Sequence, residues 1–396
     1  MTGPLARLVV IELGRYVAAP FAGRLLADWG ANVIKVEAPE GDPMRWGPLG
    51  DRPAWSPQFA SWNRGKRSVT LDLKTSDGRA ALGALLDGAD VLLHNLRPAA
   101  LAGLGLAPGR LRADRPHLVV CGVSGFGDAG PHASRRTFDS VVSGISGLYS
   151  QLLDPASPRP TGPAFTDLLA GMFAAQAVLA ALHARDRVGG QVIDIPMLAA
   201  AACAIDDAFT TYTEAGIELT PDARQARQQI FAATAADGRH LVVHLAGDES
   251  IWREFAAVVD RPQWLDDPRF RDYRSRLTHV DALAEQVRAV LRTRPRAEWL
   301  ALLHVRDIPS APINAIADAV VDADVGGAVL VDVPVPGEAP MRMTRPVGRF
   351  GGSPVSDPAG PPAPGEHTRS IVAGLDMAPE ARAAVLTTWA GRRISR

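Results

Sequence analysis

The sequence predicts an α/β protein: a large domain built on a doubly wound parallel sheet, with a smaller α+β domain beside it. Three observations predict it. Aliphatic runs of strand length alternate with amphipathic or Ala-rich stretches of helical length across the first two hundred residues. The strand-length runs are mainly aliphatic, as in a parallel sheet covered by helices on both faces. At 396 residues the chain is too long for one compact core, so a second domain is expected.

The elements follow in order. Leu8 to Ile11 reads as a buried strand, Ala18 to Trp29 as an amphipathic helix and Asn32 to Val36 as the next strand, one βαβ unit whose crossover is right-handed. A second set comprises strand Val69 to Leu73, helix Ser76 to Leu86 and strand Val91 to Leu93. Strand Leu118 to Val120 comes after a segment containing Pro98 and Pro108. Asp167 opens an Ala-rich helix reaching about His183. Gly189-Gly190 breaks to strand Gln191 to Ile195, and another Ala-rich helix runs from Met197 into Phe209.

Between Thr220 and Gln229 apolar periodicity fades, as in a linker. Beyond it strand Leu241 to Val243 and helices Ser250 to Val259, Asp281 to Leu291 and Arg296 to His304 suggest a second core. Past Val325 come short strands rich in Pro and Gly, then a helix from Pro379 to Trp389. The expected division is therefore a large α/β domain over 1–205, a linker over 206–229, a small α+β domain over 230–324 and a return to the large domain over 325–396.

Composition removes several classes of function. Apolar residues at 47% and charged residues at 21% describe a globular chain rather than a disordered one. A formal net charge of −1 gives no general attraction to nucleic acid or an acidic membrane, so an anionic ligand needs local groups. Cys121 and Cys203 stand far apart, which argues against a disulfide framework or zinc site and for a reducing, cytoplasmic setting. Glu12 interrupts the N-terminal apolar run, so no signal peptide is expected. The longest uncharged apolar stretch, Leu168 to Leu182, falls short of the ~20 residues of a membrane span and reads as a buried helix. Lys35, Lys66 and Lys74 are the only lysines, every other basic chain being arginine, which coding bias explains. The histidines form no metal set, and no G-x-S-x-G elbow is present.

Gly125-Phe126-Gly127-Asp128-Ala129-Gly130 matches G-x-G-x-x-G after a strand, and Glu37 imitates the acidic ribose ligand of a nicotinamide oxidoreductase. The fingerprint must open a helix, whereas Pro131 follows directly; the turn Gly14-Arg15-Tyr16-Val17 also lacks the required glycines. Asp167 stands at the head of an apolar helix, as its N-cap or in its first turn, and Asp is a favoured cap. A helix N-terminus also keeps a carboxylate ionised, which suits a nucleophile toward a thioester. Asn95-Leu96-Arg97-Pro98 follows a strand at the sheet edge where α/β proteins bind ligands, and Arg135-Arg136 lies in a loop before Phe138-Asp139.

Taken together, several segments resemble the class III CoA-transferases, the formyl-CoA and carnitine CoA-transferase family that includes the α-methylacyl-CoA racemases. They are Gly30-Ala31-Asn32-Val33-Ile34-Lys35-Val36-Glu37, Asn63-Arg64-Gly65-Lys66-Arg67-Ser68 with Leu71-Asp72-Leu73, Asn95-Leu96-Arg97-Pro98 and Ser124 to Pro131. Asp307 to Pro312 and Gly365-Glu366-His367-Thr368 complete the series, in family order and over essentially the whole chain.

The resemblance implies that Asp167, just before Gly171-Met172, is the catalytic aspartate, carrying first an acyl group and then coenzyme A. It implies CoA contacts at Asn95, Arg97 and Arg136, another near Lys74, and Val17 in the active-site loop. It also implies acyl-CoA and a small carboxylic acid as substrates, an interlocked homodimer, and no permanently bound cofactor, metal, nucleic acid or membrane. Val17 stands where formyl-CoA transferases have Gln, Phe138 where they have Tyr, and Ala38 where Arg is frequent. Their glycine-rich flap has no counterpart before Ile230. These departures argue against oxalate and for a larger or more apolar acyl group. The alternatives are a racemase of the same fold, which needs a proton carrier where Phe138 stands, and the nicotinamide oxidoreductase.

Overall fold

The computed structural model describes residues 2–46, 55–335 and 339–391; the remaining parts of the spans 1–205 and 325–396 lie outside the described residues. Two compact units emerge, Met1–Phe209 with Val329–Arg396, and Thr210–Ala328.

The first unit is built on six strands: β1 (Val9–Leu13), β2 (Asn32–Glu37), β3 (Arg67–Thr70), β4 (Val91–His94), β5 (Val119–Ser124) and β6 (Val192–Pro196). Their order is β3-β2-β1-β4-β5-β6, all parallel. The winding reverses between β1 and β4, and the crevice beyond the carboxyl ends of those two strands is where such sheets take ligands.

Period-two alternation divides the strand side chains between two cores. Val10, Val33, Val91, Leu93, Val119 and Cys121 face one helix layer, which contains α1 (Ala18–Asp28). Ile11, Ile34, Leu92 and Val120 face the other, with Leu82 and Leu86 from the later helix Ser76–Asp87. The C-terminal return enters this second core through Ile371, Val372 and Val385. Each such side chain buried contributes about 1.5–3 kcal/mol, and removing one from either face opens a cavity.

The helices completing the layers are α2 (Pro57–Asn63), α3 (Ser76–Asp87), α4 (Pro98–Gly103), α5 (Pro108–Asp114), α6 (Asp139–Ile145), α7 (Phe165–Val188) and α8 (Met197–Cys203). At 24 residues α7 outruns the apolar stretch within it, and by length and composition alone it could cross a membrane. Its buried stripe of Ala170, Gly171, Ala174, Ala175, Val178 and Ala181 instead packs in the core against α1, β5 and α8. Small residues let the helices approach closely: a Cβ on Gly171 would stand 2.7 Å from the Ala18 carbonyl oxygen.

Two sequence expectations shift. The strand expected over Val69 to Leu73 lies at Arg67–Thr70, because the chain turns at Asp72, whose carbonyl accepts the Thr75 N–H at 3.1 Å. The helix expected from Met197 into Phe209 breaks after Cys203, and the segment expected as a linker carries helices Asp206–Ala215 and Ala223–Gln228. Neither helix has a fully buried residue among those described, and in the first of them Phe209 and Tyr212 are exposed.

The second unit carries an antiparallel sheet of Ile230–Thr234, His240–His244 and Ser310–Pro312. Its core centres on Trp252 stacked on Trp264, ring centroids 5.7 Å apart, with Phe255, Phe270 and Trp299.

Candidate active site

The crevice at the winding reversal is framed by a buried charge lattice. Glu12 of β1 lies between two lysines, 3.0 Å from Lys35 Nζ and 2.7 Å from Lys66 Nζ, with all three side chains at 0% exposure. Lys35 also reaches Asp42 at 2.9 Å and donates to the Gly14 carbonyl at 2.7 Å. Lys66 donates to the Pro20 carbonyl at 2.8 Å and to Asn63 Oδ1 at 2.9 Å. Burial alone would lower Lys35, but Glu12 and Asp42 hold it above the usual lysine range. The two lysines therefore pin both ends of the turn from Gly14 to Pro20, which leads from β1 into α1.

Within that turn Tyr16 adopts φ +64°, a left-handed conformation that surrounding contacts must impose on a non-glycine residue. One contact is Asn95, just beyond β4. Its Oδ1 accepts the Arg15 N–H at 3.0 Å and its Nδ2 donates to the Arg15 carbonyl at 2.7 Å. Asn95 thus joins the two loops at the reversal through its whole side-chain amide.

A cavity of about 390 Å³ opens beside this junction. Gly14, Arg15, Lys74 and Leu96 line it with Leu73 and Leu104; two exposed cations stand on its walls, and the acidic Glu37 and Asp42 that also border it are each held in a buried ion pair. Val17 occupies the N-cap of α1 and Arg97 the N-cap of α4, neither with a side-chain capping bond. Arg97 and Arg136 are exposed and do not line this cavity. Glu37 is excluded as a ribose ligand. It is buried, bonded to Arg45 at 2.6 and 2.7 Å and to Ser68 Oγ at 2.6 Å. The glycine run opens no helix; its loop is tied by Ser124 Oγ to the Gly127 N–H and by Asp194 Oδ2 to the Asp128 N–H, each at 3.0 Å.

A succession of contacts links the loop that borders the cavity to Asp167. Tyr16, next to Arg15, meets Phe138 edge-on with centroids 5.9 Å apart. The residue after Phe138 is Asp139, the first of α6, and its carboxylate reaches the head of α7. Asp139 Oδ1 accepts the N–H of Thr166 at 2.8 Å and of Asp167 at 3.2 Å.

Of the two positions expected for Asp167, the cap and the first turn, it takes the second. Ala164 holds the N-cap position, Asp167 sits in the first turn, and the capping carboxylate comes from Asp139. The expected ionising effect of the helix end is also outweighed. Burial first, and the Asp139 charge second, push the Asp167 carboxyl up to about 7. No cation counters them among the described residues acting on it. Sequence reasoning named Asp139 but missed its capping role, because a cap supplied from 28 residues away leaves no local pattern.

A doubly wound sheet with a ligand-sized cavity at its reversal and a basic carboxylate on a helix of the same unit suits acyl transfer to a carboxylate. Comparison with known proteins is in accord. The chain belongs to CoA-transferase family III, whose match spans residues 5–368. It is 33% identical to the succinyl-CoA–D-citramalate CoA-transferase of Chloroflexus aurantiacus, over 94% of each chain. It is 31% identical to the succinate–glutarate CoA-transferase of Agrobacterium fabrum, over 94% of this chain and 96% of that one. A CAIB/BAIF family protein from Brucella suis superimposes with a TM-score of 0.85 at 29% identity, covering 95% of this chain and all of the other. The protein is a CoA-transferase.

Proposed function

We propose that this enzyme moves coenzyme A from an acyl-CoA to a carboxylic acid through covalent intermediates on Asp167. The Asp167 carboxylate attacks the donor thioester, the C–S bond breaks, and a mixed anhydride and CoA thiolate result. The thiolate attacks the aspartyl carbonyl, which releases the donor acid as its carboxylate and leaves an aspartyl-CoA thioester. The acceptor carboxylate then attacks this thioester and the thiolate returns to the acceptor carbonyl, restoring Asp167. Electrons and charges balance without a metal, redox cofactor or permanently bound group.

One observation carries the proposal. Asp167 is a partly buried carboxyl whose basicity, raised to about 7, makes it a stronger nucleophile that is still substantially ionised at neutral pH. The relatives named above, which transfer CoA between acids, support it. Lys74 and Arg15 at the cavity suit the phosphates of CoA, and we extend the clamp to Arg97 and Arg136. Asn95 acts by fixing the Arg15 turn.

The Phe138 ring, 56% exposed against Tyr16, cannot carry a proton, which favours transfer over racemisation and an acyl group larger or more apolar than oxalate. We place the working enzyme in a reducing compartment as a homodimer, a state that mass measurement in dilute solution tests.

Asp167→Asn preserves size. It is expected to fold normally and lose transfer almost completely, while hydroxylamine traps the wild-type intermediate as a hydroxamate at Asp167. An Asp167→Asn enzyme active in CoA transfer, free of wild type, overturns the mechanism.

A further inference from the structure

All four leading N–H groups of α7 are already engaged. Phe165 N–H donates to the Pro163 carbonyl and Leu168 N–H to that of Ala164, while Thr166 and Asp167 N–H both donate to Asp139 Oδ1. The helix end that would otherwise face the nucleophile or a developing oxyanion is closed by a carboxylate. An uncharged cap from Ser, Thr or Asn would satisfy the same donors, so the negative charge is not needed for capping.

We propose that Asp139 is a positioning residue that sets the strength of the nucleophile: its carboxylate holds the backbone of Asp167 in place and keeps a second negative charge beside the attacking group. This rests on Asp167 being the nucleophile.

The surroundings leave that task to Asp139. The elements chiefly packed against α7 are α1, α6, α8, β5 and β6. Their titratable groups are Arg24 and Asp28 of α1, bonded to each other at 3.1 Å, Asp139 of α6, Cys203 of α8, Cys121 of β5, and Asp194 of β6, which ties the glycine loop. Of these only Asp139 acts on Asp167 among the described residues, adding to burial in making its carboxyl more basic. A more basic carboxylate attacks a thioester faster once ionised, but a smaller fraction is ionised at low pH. Asp139 therefore exchanges acid-side activity for speed at and above neutrality. Gly125 packs against Thr137 two residues upstream, so the glycine loop buttresses the segment that delivers Asp139.

Asp139→Asn tests the charge while keeping an oxygen that can cap; Asp139→Ser, also a neutral cap, serves where the Asn variant does not fold. Rates of CoA transfer are followed against pH. The expected result is an acid limb of kcat/KM displaced about one pH unit downward, with a lower plateau above pH 8. A solely structural cap would change stability and leave the limb in place, and that outcome overturns the proposal.

Hydroxylamine trapping separates this from failure of the nucleophile assignment. A wild-type hydroxamate at Asp167 with an unmoved limb removes only the role given to Asp139; no hydroxamate at Asp167 removes the reading beneath it. A measurement independent of turnover is the stability difference between wild type and the Asp167→Asn variant across pH 5–8. Adding Asp139→Asn to both is expected to shrink the pH dependence of that difference, and an unchanged dependence counts against the proposal.

Discussion

Glu12 and Asp167 are both carboxylates drawn out of bulk water by the large unit, and their surroundings are opposite. Glu12 lies wholly buried between Lys35 and Lys66, in a lattice that also fixes the Gly14 and Pro20 carbonyls. Asp167 is partly buried beside another aspartate and gains no cation among the described residues. The first arrangement trades charge against charge and holds a turn rigid. The second leaves charge unbalanced where a reaction can use it. A buried ion pair whose partner is removed is strongly destabilised, whereas an unbalanced carboxylate is a reservoir that substitution can relieve.

The largest effect that sharpens this contrast is expected at Glu12. Glu12→Gln leaves Lys35 and Lys66 without their shared counter-charge, at a cost of about 3–5 kcal/mol. Chemical denaturation at pH 7 measures it. A loss below about 1 kcal/mol, the value of an exposed pair, would show that the lattice is not the rigid member of the comparison.

Asp167 should behave in the opposite sense. Its folded-state pKa of about 7 lies above the unfolded value, so wild type binds an extra proton between roughly pH 4 and 7. The associated stability is fully present below the unfolded pKa and is lost as pH rises through 7. Asp167→Asn escapes that loss. The variant is expected to match wild type near pH 4 and exceed it by about 1–3 kcal/mol at pH 8, after allowance for partial exposure. Equal stability at both pH values would mean that Asp167 is not held against its charge.

The sheet was legible in sequence because its central strands leave largely aliphatic runs between helical stretches; β1, β2, β4 and the more exposed edge strand β6 fall within two residues of expectation at either end. Asp167 stood out because one carboxylate heads an otherwise apolar helix. Glu37 was visible but ambiguous. An acidic residue closing a second strand looks the same whether it meets a ribose or, as here, Arg45. Helices α2 and α6 went unseen, being only seven residues each and too short for a periodic stripe. The cap from Asp139 and the Asn95 bridge were hidden for a different cause, since both join segments brought together only by the sheet.

The smallest expected effect concerns the third lysine, which completes the comparison. Lys35 and Lys66 are sealed in ion pairs, while Lys74 is exposed at the cavity with Arg15. The coding bias that made nearly every other basic residue arginine leaves one side-chain amine open to reagents. Buried amines bonded to carboxylates react slowly, so an amine-directed acylating reagent is expected to label Lys74 first in the folded enzyme, apart from the chain's α-amino group. Coenzyme A should slow that labelling if its phosphates occupy the cavity, and salt should weaken the protection because the contact is electrostatic. Lys74→Ala is expected to reduce CoA affinity by only about 0.5–1 kcal/mol, as an exposed charge does, alike for every acyl-CoA because the acyl end is untouched. Labelling of Lys74 that saturating CoA leaves unchanged would remove this lysine from the binding site, and with it the assignment of the cavity to CoA phosphates.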